Sequence, residues 1–89
     1  MTREEHLLTI LAEECAEVAQ RCSKALRFGL DEIQEGQSLT NAERITQELE
    51  GLKGTYMLLF EEKKLPRMRI GNVKNKQVRI EKWLNYSEQ

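Results

Sequence analysis

Residues 46–60, TQELEGLKGTYMLLF, decide the fold class. Leu49, Leu52, Tyr56 and Leu59 recur at spacings of three and four, the rhythm of one face of an α-helix. Gly51 and Gly54 sit inside that helix, and each costs about 1 kcal/mol against alanine in a helix interior. Upstream, Thr40 and Glu43 form a capping-box signature that opens the helix, and Ile45 extends its stripe. Downstream, Pro66 stops it, so the helix is expected over about 40–64.

The same signals recur on either side. Thr2 and Glu5 make a second capping box, and Gly29 closes a first helix of about 2–28. Its stripe is Leu7, Leu11, Cys15, Val18, Cys22 and Ala25. The intervening GLDEIQEGQSL is polar and turn-rich, a loop of about ten residues. A third helix is expected over about 72–86, with Val73, Ile80 and Leu84 as its stripe. No strand alternation persists anywhere. The expectation is an all-α, three-helix chain forming one domain over 1–89. Stripes of this kind bury against one another, which favours an oligomeric four-helix-type bundle.

Bulk composition narrows the chemistry. Eighty-nine residues bury a modest core, so a partner chain, a metal or a disulfide must help. Cys15 and Cys22 lie seven apart on one helix, roughly 10 Å between Cα atoms, too far for a bridge. They read as small apolar core residues in a reducing compartment. With one histidine besides, a Cys/His zinc site lacks ligands. The 14 basic and 15 acidic residues are mixed in sign, giving net charge −1 and no overall footprint for nucleic acid. The acidic N-terminus does not suit a signal peptide, and no stretch is long enough to span a membrane. A soluble, cytoplasmic protein is expected.

Carboxylates carry the chemical signal. With Leu11 at zero and about 100° per residue, Glu14 and Glu17 fall near −60° and −120°, on the flank of the stripe. With Ile45 at zero, Glu48 and position 51 occupy the equivalent places on the second helix; Glu13 and Glu50 point further away. Carboxylates at i and i+3 beside a buried stripe repel each other and resist desolvation. A hard divalent cation relieves both, and oxygen-only ligands suit Mg²⁺ or Mn²⁺. Such an ion completes its shell with water and phosphate oxygens, which points to phosphate-ester or phosphoanhydride chemistry. A plainer reading stays open: glutamates that solvate a surface, Glu17 pairing with Arg21 at i+4.

LAEECAEVAQR (11–21) followed by ITQELEGL (45–52) resembles the MazG-like all-α nucleoside triphosphate pyrophosphohydrolases, especially short phage-type members. SKALRFGLDEIQEGQSLTNAERITQE and VRIEKWLNYS share the resemblance, so it covers nearly the whole chain. The family signature is E-E-x-x-E on one helix and E-x-x-D on the next. Glu13, Glu14 and Glu17 complete the first half. The second half is Glu48 followed by Gly51, where the family has aspartate. The resemblance implies Glu14, Glu17 and Glu48 as catalytic carboxylates and Glu13, Glu14, Glu17 and Glu48 as ligands of Mg²⁺ or Mn²⁺. It implies a nucleoside triphosphate cleaved to monophosphate and pyrophosphate, by a homodimer or homotetramer.

Substrate contacts have two candidate sources. Lys24 lies two turns after Glu17 on the carboxylate flank, with Arg27 just beyond, and either could touch phosphate. On the third helix Lys76, Arg79 and Trp83 share a flank suited to phosphate charge and base stacking. Plainer roles stand beside these: solvated charge for the cations, a core or interface position for Trp83. Gly51 also opens a second reading of the whole chain. It is a catalytically inactive helical oligomer of the same fold that binds nucleotide or protein.

Overall fold

The computed structural model describes residues 1–87, with side chains through Asn85; Glu88, Gln89 and the side chains of Tyr86 and Ser87 lie outside the described residues. Three helices follow in order: α1 (Arg3–Phe28), α2 (Asn41–Glu61) and α3 (Ile70–Ser87). No strand occurs among the described residues, only a single antiparallel bridge between Ile33 and Thr40 inside the first loop. Both expected capping boxes form. The Thr2 and Thr40 side chains accept from the Glu5 and Glu43 amides at 3.1 Å, and each glutamate accepts from its threonine's amide in return. Those bonds hold the Glu5 and Glu43 carboxyls below the ordinary carboxylate range.

α1 and α2 form an antiparallel hairpin. At its open end Arg3 forks onto Glu62 at 3.0 and 2.9 Å, and Lys64 reaches Glu4 at 3.2 Å. At its closed end the α1–α2 loop folds onto Asn41, a buried residue. The Asn41 side-chain amide donates to the Gly29 carbonyl at 2.8 Å and to Glu32 at 3.2 Å, and its backbone amide donates to the Glu32 carbonyl. Gly29 ends α1 with φ +94°, which a residue bearing a side chain rarely adopts.

Two helix limits differ from the sequence expectation. α2 stops at Glu61 rather than continuing to Lys64. The Lys64 amide donates to the Leu59 carbonyl and the Lys63 amide to the Phe60 carbonyl, with Lys63 at φ +63°. This is a Schellman motif in which lysine fills the place glycine usually takes. α3 begins at Ile70 rather than Asn72, its first turn closed by bonds from Asn72 and Val73 to the Arg69 carbonyl. Between them the Tyr56 hydroxyl donates to the Pro66 carbonyl at 2.7 Å and pins the linker to α2.

The apolar stripes are only partly covered. Leu7 and Leu59 are the buried hydrophobic residues among those described. Cys15 and Cys22 are exposed, contrary to their expected core role, and Leu49 is exposed too. The reason is geometric. Two packed helices cover one strip each, and α1 turns Leu7, Glu14, Val18, Arg21 and Ala25 toward α2, rotated from the strip through the cysteines. α3 packs on neither helix, so the expected burial of its stripe does not occur within one chain; Ile70, Val73, Ile80 and Trp83 are exposed. The radius of gyration is 16.1 Å, against about 12 Å for a compact chain this long.

Candidate functional site

The rotation that exposes the cysteines brings the acidic flanks into the α1–α2 seam. Glu14 and Glu48 are half-buried there, and Arg21 lies beside them. The Thr55 hydroxyl donates to Glu14 Oε1 at 2.5 Å. The other oxygen, Glu14 Oε2, lies 2.8 Å from where a Cβ at position 51 would stand. The Glu14 carboxylate thus occupies the room that a side chain at 51 would need.

Glu17 and Glu48 form the second part of the cluster. The Glu17 carboxyl is held above the ordinary carboxylate range, chiefly by hydrogen bonding to Glu48 and by its negative charge. Desolvation and the Glu14 charge push the same way, and Arg21 opposes them. A raised carboxyl reports negative charge without enough compensation. Arg21 Nε stands 3.8 Å from Glu48 Oε1, and that nitrogen is buried with no hydrogen-bond partner. Arg21 therefore offsets part of the charge at long range while keeping a donor in reserve.

This donor set fits a divalent cation through Glu17 and Glu48. Mg²⁺ commonly takes one or two carboxylates and leaves its other positions to water and phosphate. Among the described residues, no group of three acidic, histidine or cysteine side chains stands ready-made as a ligand cage. Glu14 is tied through Oε1 to Thr55. Glu13 is exposed on the outer face of α1.

The remaining expected residues divide by element. Lys24 lies in the seam and donates to Gln34 Oε1 at 3.4 Å. Arg27 stacks over the exposed Phe28 ring at 5.0 Å. Lys76, Arg79 and Trp83 do share a face, lining a shallow cavity of about 420 Å³ on α3. That helix packs on neither α1 nor α2, so the structure does not bring these three together with the carboxylates. Sequence reasoning missed Thr55, Arg44 and Gln34. Arg44 lies one turn before Glu48 on the same face of α2, a spacing that could have flagged it. Nothing in the loop sequence marks Gln34, because its position depends on how the loop folds back.

No family model, curated protein or solved structure matches the chain. No helix among the described residues is long and apolar enough to cross a membrane.

Proposed function

We propose that the chain is a Mg²⁺-dependent nucleoside triphosphate pyrophosphohydrolase of the MazG-like kind, cleaving a nucleoside or deoxynucleoside triphosphate to the monophosphate and pyrophosphate. The observation that carries the reading is the Glu17–Glu48 pair. Two carboxylates from different helices meet at the seam, Glu48 half-buried and Glu17 exposed at its rim; Glu48 raises the proton affinity of Glu17, and Arg21 opposes it from long range. A divalent cation between the two would remove the repulsion that raises Glu17.

Glu17 and Glu48 would hold the ion, with Mn²⁺ as a substitute, and Glu14, half-buried in the same seam, is the third carboxylate of the cluster. When bound, the ion would offset phosphate charge and make a coordinated water more acidic. Arg21, with a donor unspent, would turn from Glu48 toward phosphate oxygen. Thr55 fixes the orientation of Glu14. Arg27, exposed beyond Lys24, would add charge at the rim.

The working unit in this proposal is a homodimer or homotetramer built as a four-helix-type bundle. Its support is the uncovered strip through Cys15, Cys22 and Leu49 and the unpacked α3. In such an assembly Lys76, Arg79 and Trp83 would serve a site on the partner subunit's hairpin. Two free, exposed cysteines fit a reducing, cytoplasmic setting.

A second reading, the catalytically inactive oligomer that binds nucleotide or protein, is favoured by one observation: Glu14 fills the space at position 51 and is tied to Thr55. Pyrophosphate release from a panel of nucleoside triphosphates with Mg²⁺ separates the two. The hydrolase reading expects release from the wild-type chain. A silent wild type with a strongly active Gly51→Asp variant would establish the second reading for this sequence.

A further inference from the structure

We propose that Lys24 and Arg44, meeting at Gln34, form a phosphate subsite that takes the pyrophosphate end of the substrate, with the Gln34 amide as its displaceable occupant. The identification of that phosphate as a nucleotide's tail rests on the hydrolase reading; the anion site itself does not.

Gln34 Oε1 accepts from Arg44 Nη1 at 3.1 Å and from Lys24 Nζ at 3.4 Å. All three residues are half-buried. Two full positive charges thus converge on one neutral carbonyl oxygen. Neither cation has an ion-pair partner among the described residues, whose ion pairs are Arg3–Glu62, Arg21–Glu48 and Lys64–Glu4. Acids are near in sequence but do not reach them: Glu32 accepts from Asn41, and Asp31 and Glu35 are exposed. An anionic oxygen in place of the amide oxygen would turn both contacts into ion pairs, adding a charge–charge attraction that the neutral amide does not supply.

The surroundings suit exchange. The loop backbone at Gln34 is fixed by the Ile33–Thr40 bridge and by a turn in which the Gln37 amide donates to the Gln34 carbonyl, with Gly36 at φ +80°. Among the described residues its side chain is held by the two cations alone, so it can rotate out without unfolding the loop. Along the seam, Arg44 lies one turn from Glu48 and Lys24 two turns from Glu17, with Arg21 between. Carboxylates and cations therefore occupy successive levels. A chelated triphosphate lying along the seam would direct its terminal phosphates toward the loop and its nucleoside away from it.

The test is calorimetric titration of inorganic pyrophosphate into the metal-free chain in EDTA. The expected result is saturable binding, weakened at least tenfold by Arg44→Gln and by Lys24→Gln. Gln34→Ala should retain it. Gln34→Glu should abolish it while raising the melting temperature, since the new carboxylate is an internal anion. That rise also shows that the variant is folded. Absence of saturable binding, or binding unchanged in Arg44→Gln, overturns the subsite. Equal weakening by Lys74→Gln, an exposed lysine of α3, overturns it too by showing diffuse attraction. Failure of the hydrolase reading looks different: pyrophosphate binds as described, yet no nucleoside triphosphate is cleaved. Conversely, cleavage with an unchanged KM in Arg44→Gln would keep the hydrolase and discard the subsite.

Discussion

A Cβ at position 51 would stand 2.8 Å from Glu14 Oε2, so a side chain there and the Glu14 carboxylate are alternatives for one space. The obstacle is the end of a flexible side chain, so substitution moves Glu14 rather than the backbone. Gly51→Ala gains up to about 1 kcal/mol of helix propensity. It loses part of the Thr55–Glu14 bond, worth about 1.5–3 kcal/mol when fully made to a charged group. The net change in chemical-denaturation stability should stay within about 1 kcal/mol. Gly51→Asp adds a fourth negative charge to Glu14, Glu17 and Glu48, so it should melt lower than wild type in EDTA and gain more on adding Mg²⁺. Glu17 gives a pH prediction. Its folded-state proton affinity is raised, so its contribution to stability is full below the ordinary carboxylate range and is lost as pH rises through the raised value. Glu17→Gln should therefore raise the melting temperature at pH 7, and the gain should fade below about pH 4. A gain that persists in acid would remove the charge explanation. At this scale the glutamates were legible from their angular positions. The Thr55 bond was not, because it depends on how far α1 rotates against α2.

Capping signals made most of the elements readable: Thr2 with Glu5 and Thr40 with Glu43 fix two helix starts, and Gly29 fixes an end. The end of α2 escaped because its stop signal is a lysine. Lys63 takes φ +63° to close the Schellman motif, a conformation costing about 1–2 kcal/mol for a residue with a side chain. Lys63→Gly should stabilise the chain by about 0.5–1 kcal/mol, part of the relief being offset by glycine's greater unfolded-state freedom. A urea-denaturation midpoint checks it; a lower midpoint would contradict the strain argument. Periodicity located the stripes but not which edge of each faces its neighbour. The seam takes the edge carrying Glu14, Arg21 and Glu48, and the edge with Cys15, Cys22 and Leu49 stays uncovered. Spacing alone could not choose between them, since both edges contain apolar residues.

Across the whole molecule, charge and shape are uneven in the same way. Residues 1–62 hold thirteen acidic and six basic residues, and residues 63–89 hold two acidic and eight basic, which together return the 15 and 14 of the chain. The near-neutral total conceals an acidic hairpin and a basic arm that is tied to it through Lys64, Pro66 and Arg67 while its helix, α3, packs on neither α1 nor α2. Opposite charge and the bare apolar strip of α3 both favour arm-to-hairpin association between copies. Trp83, the one tryptophan and 66% exposed in a single chain, reports on it. Light scattering should give a mass of two or four times 10.4 kDa, and dilution should shift Trp83 emission to the red. A monomer with fully solvated Trp83 at every concentration would remove the oligomeric part of the proposal. The central claim is that Glu17 and Glu48 jointly hold the ion on which nucleotide cleavage depends. Its most direct test is the initial rate of pyrophosphate release from a deoxynucleoside triphosphate, with Mg²⁺ or EDTA, for wild type, Glu17→Gln and Glu48→Gln. The account predicts Mg²⁺-dependent release by wild type and at least a hundredfold loss in each variant while both stay folded by circular dichroism. Undiminished release by either variant, or release unaffected by EDTA, would contradict it.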